Sequence, residues 1–189
     1  MAISLIIGLG NPGDKYSKTR HNAGFWFIDE LASKYGASFK TESKFSGELA
    51  KANIAGQSVW LLKPSTFMNR SGLAAHQLSS FYKIPVDEVL VAYDELDLPA
   101  GTVRLKKSGG HGGHNGLRDL HAQITKDYFR LRFGIDHPGD RNKVADYVLS
   151  RANQNDEIAI NNAIDKALDN IELIVRGEDQ KAMNLLHTE

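Results

Sequence analysis

Two side chains in this sequence have the chemistry of a base and its anchor. His21 sits in Thr19-Arg20-His21-Asn22, where a polar loop gives way to a helical pattern. An unperturbed imidazole titrates near ~6.5, so it is a ready general base at neutral pH. Asp94 follows the apolar run Val89–Tyr93 and opens Asp94-Glu95-Leu96-Asp97. A carboxylate placed there can hold a neighbouring imidazole in one tautomer and stabilise its protonated form. Each also has a plainer reading, His21 as a solvent-facing residue and Asp94 as a turn stabiliser. The chain has no cysteine and no Gly-x-Ser-x-Gly elbow, so a hydrolase built on it would use water activated by His21.

Further polar groups lie in two glycine-rich stretches. In the first, Gly8-x-Gly10-x-x-Gly13 matches the dinucleotide fingerprint by letter. That fingerprint needs a helix opening inside the glycines and an acid about twenty residues on at the end of a second strand. Neither is predicted here, because no apolar periodicity begins before Asn22. The glycines read instead as backbone freedom around Asn11. In the second stretch, His111 and His114 are spaced H-x-x-H between glycines. A metal pair is conceivable, but no helix enforces the spacing and no carboxylate lies within it. With Lys106, Lys107 and Arg118 beside it, the stretch reads better as a mobile loop facing an anion. Asn115 is either a helix cap or a ligand contact.

These groups need elements to bring them together. Ile3–Gly8 reads as a buried strand, and Asn22 as the cap of a helix running to Tyr35, with Gly36 just past its end. Phe45–Ile54 and Val59–Leu62 suggest a hairpin about Gly56-Gln57. A second helix is predicted over Ser71–Tyr82. Strands follow at Val89–Tyr93, Thr102–Lys107 and Phe129–Ile135, with a short helix at Leu117–Ile124. Val144–Leu149 is short and apolar. A long helix is expected over Gln154–Val175 and a last one over Glu178–Leu186. Alternating strands and helices predict one α/β domain over 1–189, a twisted, mixed but mostly parallel sheet surrounded by helices.

The net charge is zero, yet it is sorted along the chain. Residues 1–83 carry ten bases and five acids, 84–100 five acids, 101–151 ten bases and five acids, and 152–189 three bases and eight acids. A neutral total can hide a basic face suited to a polyanion. Arg130 and Arg132 alternate with Phe129, Leu131 and Phe133, so a strand would put both on one face, where with Lys106 and Lys107 they would meet phosphates. There is no basic n-region, long apolar run or cysteine, which fits a cytoplasmic protein.

Taken together, Gly8-Leu-Gly-Asn-Pro-Gly-x-x-Tyr16-x-x-Thr19-Arg-His-Asn22, Pro64-x-Thr66-Phe-Met-Asn-x-Ser-Gly72, Asp94-Glu-Leu-Asp-Leu-Pro99, Gly110-His-Gly-Gly-His-Asn-Gly116 and Arg130-Leu-Arg-Phe-Gly-Ile135 resemble the bacterial peptidyl-tRNA hydrolases. The motifs occur in family order over most of the chain. The resemblance implies a monomeric, cytoplasmic, metal- and cofactor-free enzyme that cleaves the ester between a peptide and the terminal ribose of tRNA. It implies His21 as base, Asp94 as its partner, and Asn11 as the group that tells a blocked peptide from a free aminoacyl ester. Asn69 and Asn115 correspond to substrate- and tRNA-binding asparagines, and a side-chain amide such as that of Asn69 can donate to an oxyanion. Tyr16, Phe67 and Met68 fall at the substrate end; Lys106, His114, Arg132 and Arg141 fall where the acceptor arm is met. Tyr93 stands where that family frequently has His, and Arg141 where Lys is common. A non-catalytic RNA binder, a metal hydrolase using His21, His111, His114 and Asp94, and a dinucleotide enzyme are the rival readings.

Overall fold

A computed structural model of the chain describes residues 2–188. In chain order the elements are β1 (Leu5–Gly8), α1 (Ala23–Lys34), β2 (Lys40–Glu42), β3 (Gly47–Ile54), β4 (Gln57–Pro64), α2 (Ser71–Phe81), β5 (Val89–Glu95), β6 (Val103–Lys107), α3 (Asn115–Ile124), β7 (Phe129–Gly134), α4 (Val144–Val148), α5 (Gln154–Asp169), α6 (Ile171–Val175) and α7 (Asp179–Leu186). The strands form one sheet in the order β2-β3-β4-β1-β5-β7-β6. Neighbours pair in parallel from β4 through β1 and β5 to β7, and antiparallel at both margins. The sheet is therefore mixed, as predicted, with three parallel pairings forming its middle and three antiparallel ones its margins.

β1 and β5 lie inside the sheet and are covered on both faces, which is why they read as unbroken apolar runs. One face packs on α1, α5, α6 and α7, through side chains such as Phe27, Leu31, Ile160, Ile174 and Leu186. The other packs on α2 and α3, through Ala74, Leu78, Leu117 and Leu120. From β1 the chain passes to β4 on one side and then to β5 on the other. The crevice at the carboxyl ends of β1 and β5 is thus the topological switch point, where doubly wound sheets hold their ligands.

The glycines after β1 have a packing cause rather than the conformational one the sequence suggested. A Cβ on Gly8 would lie 2.5 Å from the carbonyl oxygen of Gly24, and one on Gly10 would lie 2.6 Å from the Phe25 ring. They let α1 cross tightly over the strand. Gly13 alone of the three has positive φ, at 98°, and no helix opens among them.

Two elements go unassigned in the sequence, and two expectations change. β2 is three exposed residues, Lys-Thr-Glu, and carries no apolar alternation to betray it. Val144–Val148 is helical. The predicted helix over Gln154–Val175 breaks at Asn170, whose amide donates to the Lys166 carbonyl at 2.8 Å. Asn22 does not cap α1. Its side chain instead clamps the backbone of Asn11, accepting from the Asn11 N–H at 2.8 Å and donating to the Asn11 carbonyl at 2.9 Å. Among the described residues, no helix is long and apolar enough to cross a membrane.

Candidate active site

His21 lies in the 3₁₀ turn Arg20–Asn22 that leads into α1, and Asp94 lies near the end of β5. The fold brings them into contact: His21 Nδ1 is 2.8 Å from Asp94 Oδ2, both side chains buried. The second carboxylate oxygen is taken by His114, whose Nε2 is 2.9 Å from Oδ1. His114 rather than Asn115 caps α3. Its Nδ1 accepts from the N–H groups of Gly116 and Leu117 at 3.1 and 3.3 Å. A ring nitrogen that accepts two N–H bonds carries no proton, so the His114 proton sits on Nε2 and points at Asp94. Asp94 in turn accepts from Nδ1–H of His21 and leaves Nε2 of that ring as the basic lone pair.

Electrostatics follow from this geometry. Burial is the largest single influence on His21 and lowers its pKa. The charge of Asp94 and the hydrogen bond to it together outweigh burial, and the imidazole ends above its ordinary value of 6.5. Burial pushes the Asp94 carboxyl up, but the charges and hydrogen bonds of the two imidazoles hold it below the usual carboxylate range. Tyr93, also buried, packs its ring edge-on to His114 at 5.2 Å, and its hydroxyl is 3.4 Å from Glu95. Burial pushes its phenol up, so it stays a neutral buttress.

Two cavities meet at His21 and Asn115. One, of about 340 Å³, is lined by Asn11, Tyr16, Phe67, Met68, Asn69 and Leu149. The other, of about 260 Å³, is lined by Asp94, Leu96, Gly113, His114, Arg141 and Val144. Ala145 and Val148 of α4 wall both. Arg20 fastens that wall to the turn bearing His21. Its Nη1 donates to the Tyr147 carbonyl at 2.9 Å and to Ser150 Oγ at 2.6 Å, and its guanidinium lies 3.8 Å from the centre of the Tyr147 ring. Nothing in the sequence singled out this arginine, because its partners lie 127 and more residues away.

The three asparagines all reach the first cavity, but not in the same state. Asn69 and Asn115 are exposed. Asn11 is buried, and its Oδ1 accepts from the Met68 N–H at 2.7 Å. That bond leaves the Asn11 Nδ2 donor for the cavity, so this residue offers a donor only. Phe67, 59% exposed, meets Tyr16 edge-on at 6.1 Å on the cavity rim.

Of the bases expected to meet the acceptor arm, Lys106, Arg132 and Arg141, Arg141 lines the second of these cavities and the other two line neither. Arg104 and Lys106 on β6 stand opposite Arg132 and Arg130 on β7, so all four basic residues share one sheet face. Arg132 reaches within 3.9 Å of Glu95, and Lys106 is exposed beside the glycine loop. Arg130 departs from the phosphate-facing role its alternation suggested. It is 1% exposed and donates to the carbonyls of Gly110 and Gly109 at 2.6 and 2.5 Å, and to His121 Nε2 at 3.0 Å. It is an internal strap on the glycine loop.

His21, Asp94 and His114 also form a trio whose possible metal-ligating atoms lie within 4.8 Å of one another. His111 does not join it; its ring faces that of His121 at 5.8 Å. In the trio, Nδ1 of His21 and Nε2 of His114 are spent on the oxygens of Asp94, a donor set already satisfied by itself.

Comparisons with known proteins span nearly the whole chain. The family model for peptidyl-tRNA hydrolase matches residues 5–189. Peptidyl-tRNA hydrolase of Neisseria meningitidis serogroup C is 54% identical over 187 residues, 98% of this chain and 97% of that protein. That of Colwellia psychrerythraea is 53% identical over 190 residues, 100% of this chain and 98% of its own. The crystal structure of peptidyl-tRNA hydrolase from Acinetobacter baumannii matches with a TM-score of 0.97 at 49% identity, covering 98% of this chain and 95% of that one. By sequence over its full length and by fold, this chain belongs to the peptidyl-tRNA hydrolase family.

Proposed function

We propose that this protein hydrolyses peptidyl-tRNA, with water activated at Nε2 of His21. The observation that carries the mechanism is the His21–Asp94 pair at the junction of two cavities, with the ring's second nitrogen left for a water molecule. Water gives a proton to His21 Nε2 as its oxygen attacks the ester carbonyl carbon. Asp94 stabilises the imidazolium so formed. As the carbonyl C–O bond breaks, the same proton passes to the ribose oxygen, giving a free peptide acid and tRNA. An ester has a better leaving group than an amide, so one base and one oriented water suffice. No step passes through a metal.

Asn11 Nδ2 is the group that reads the peptide. Locked on the Met68 N–H, it donates to a substrate carbonyl, and a buried donor left unpaired penalises a substrate that lacks the acceptor. Asn69 donates to the developing oxyanion and Asn115 holds the ribose end. Tyr16, Phe67 and Met68 flank the acyl group, and Arg141, His114, Lys106 and Arg132 lie along the path of the acceptor arm. The protein acts as a one-domain monomer in the cytoplasm, needs no cofactor and has tRNA as its partner.

The test is hydrolysis of matched N-acetyl-aminoacyl- and free aminoacyl-tRNAs by the pure protein. Rapid release from the blocked ester alone is the expected result. Equal rates would remove the role of Asn11, and no release at all would leave an RNA-binding protein.

A further inference from the structure

A third cavity, of about 500 Å³, is larger than either of those at His21 and shares no residue with them. It lies at the β2–β3 margin of the sheet, against the end of α2. Four rings shape it. Trp60 stacks on Tyr82 at 4.8 Å and 25°, Tyr82 meets Phe81 edge-on at 4.9 Å, and Phe45 lies 5.4 Å from Phe81. Phe81 and Tyr82 are 52% and 41% exposed, unusual for rings with no catalytic duty. Lys40, Lys44 and Lys51 line the cavity against one acid, Glu42. Lys44 Nζ sits 3.4 Å from the centre of the Phe81 ring, and Lys51 Nζ sits 4.7 Å from that of Trp60.

The register shows where this wall stands relative to the rest. Lys40, Leu49, Leu62, Ile7, Val91, Arg130 and Lys106 form one continuous row across the seven strands. At ~4.8 Å per strand, six steps put Lys40 about 29 Å from Lys106, on the same face of the sheet. That face therefore has a basic group at each margin, with α2 and α3 between. The acid-rich α5, α6 and α7 cover the opposite face.

We propose that the Trp60–Tyr82–Phe81 wall binds a segment of unpaired RNA, its bases stacking on these rings and its phosphates pairing with Lys44 and Lys51. Alternating rings and ammonium groups match the alternation of base and phosphate along a single strand. A phosphate draws each ammonium off its ring and frees that face for a base. An acidic peptide would engage the lysines but leave successive ring faces unused. The choice of RNA over other polyanions rests on the reading that this enzyme acts on tRNA; the site itself lies apart from His21.

Trp26 and Trp60 are the two tryptophans, so a Trp26→Phe protein reports on Trp60 alone. Titration with an unpaired octauridylate, which carries no ester, is expected to quench Trp60 fluorescence, while a blunt RNA duplex does not. Changing Phe81→Ala should weaken binding roughly ten-fold. Changing Lys44 and Lys51 together to Ala should lower the salt slope by about 1.4, at ~0.7 per phosphate lost. The proposal is overturned by absent quenching, by a salt slope unchanged in the double variant, or by stronger quenching with polyglutamate than with RNA. Ester hydrolysis by the same Trp26→Phe protein is measured alongside. Hydrolysis without quenching sinks only this inference, and quenching without hydrolysis sinks only the enzymatic reading.

Discussion

Nδ1 of His21 and Oδ2 of Asp94 stand 2.8 Å apart across 73 residues of sequence. The contact exists because β1 and β5 are neighbours and α1, whose entry turn carries His21, packs across both, so that His21 is brought onto the end of β5 where Asp94 stands. A base so buried is held in one orientation, and its ring lines both cavities.

Replacing His21 with Ala should leave tRNA binding within about two-fold and lower single-turnover hydrolysis by ~10²–10⁴, the usual contribution of a positioned base. Rate at saturating enzyme and affinity for deacylated tRNA, measured side by side, check this. Hydrolysis at the parent rate would remove His21 from the mechanism.

The pH dependence has a definite sign. Because the His21 pKa is raised, the acid limb of kcat/KM should fall at a pH above 6.5. In Asp94→Asn the raising influences go and burial remains, so the limb should move to lower pH with a lower plateau. Stability follows the same linkage. The charged-pair contribution from His21 is full below its unfolded value of 6.5 and fades as pH rises through the raised folded value. That from Asp94 is present above 3.8 and fades as pH falls through its lowered folded value. The Tm difference between parent and Asp94→Asn should therefore be largest between those limits. A difference constant from pH 3 to 9 would contradict it.

Asn11→Asp separates donor from acceptor. Its carboxylate can still accept from the Met68 N–H, but it presents oxygen where Nδ2 stood. Hydrolysis of the N-acetyl-aminoacyl ester should fall ~10²-fold or more, the scale of losing one oriented donor. The ratio of blocked to free ester cleavage should collapse with it. A preserved ratio would assign recognition elsewhere.

His114 does two jobs that substitution can split. Ala removes both the α3 cap and the donor to Asp94, so stability should fall by ~1 kcal/mol together with kcat. Asn is itself a good cap and should restore most of the stability but not the rate. Thermal denaturation and kcat, measured on both variants, distinguish positioning of Asp94 from capping alone.

Arg130 and Arg132, two residues apart, should behave as opposites. Arg132→Ala is expected to weaken tRNA binding and reduce its salt slope by about 1, as loss of one phosphate contact does. Arg130→Lys should leave the slope unchanged and destabilise the glycine loop, since lysine cannot serve the Gly109, Gly110 and His121 acceptors together. Binding at several salt concentrations and hydrogen exchange over 108–116 read the two effects.

Much of this molecule was legible in the chain itself. The apolar runs at β1 and β5, the hairpin turn at Gly56-Gln57 and the helical periods of α1 and α2 announce their elements, because burial on one or two faces writes a period into the residue types. Asp94 was visible as the polar end of an apolar run and His21 as a base at the entry to a helix, whereas Tyr16, Phe67, Met68 and Asn69 were named only by the family resemblance. What could not be read is whatever depends on partners far along the chain. Asn22 looks like a cap, yet its amide is drawn to the backbone of Asn11. Arg130 alternates like a surface arginine, yet α3 and the glycine loop close over it. His114 sits in a flexible-looking stretch, yet the first amides of α3 fix its tautomer and aim its proton at Asp94. Local pattern records which groups are polar; only packing decides which polar groups face each other, because that choice is made by strand order and helix crossing, and neither is written in any short window of sequence.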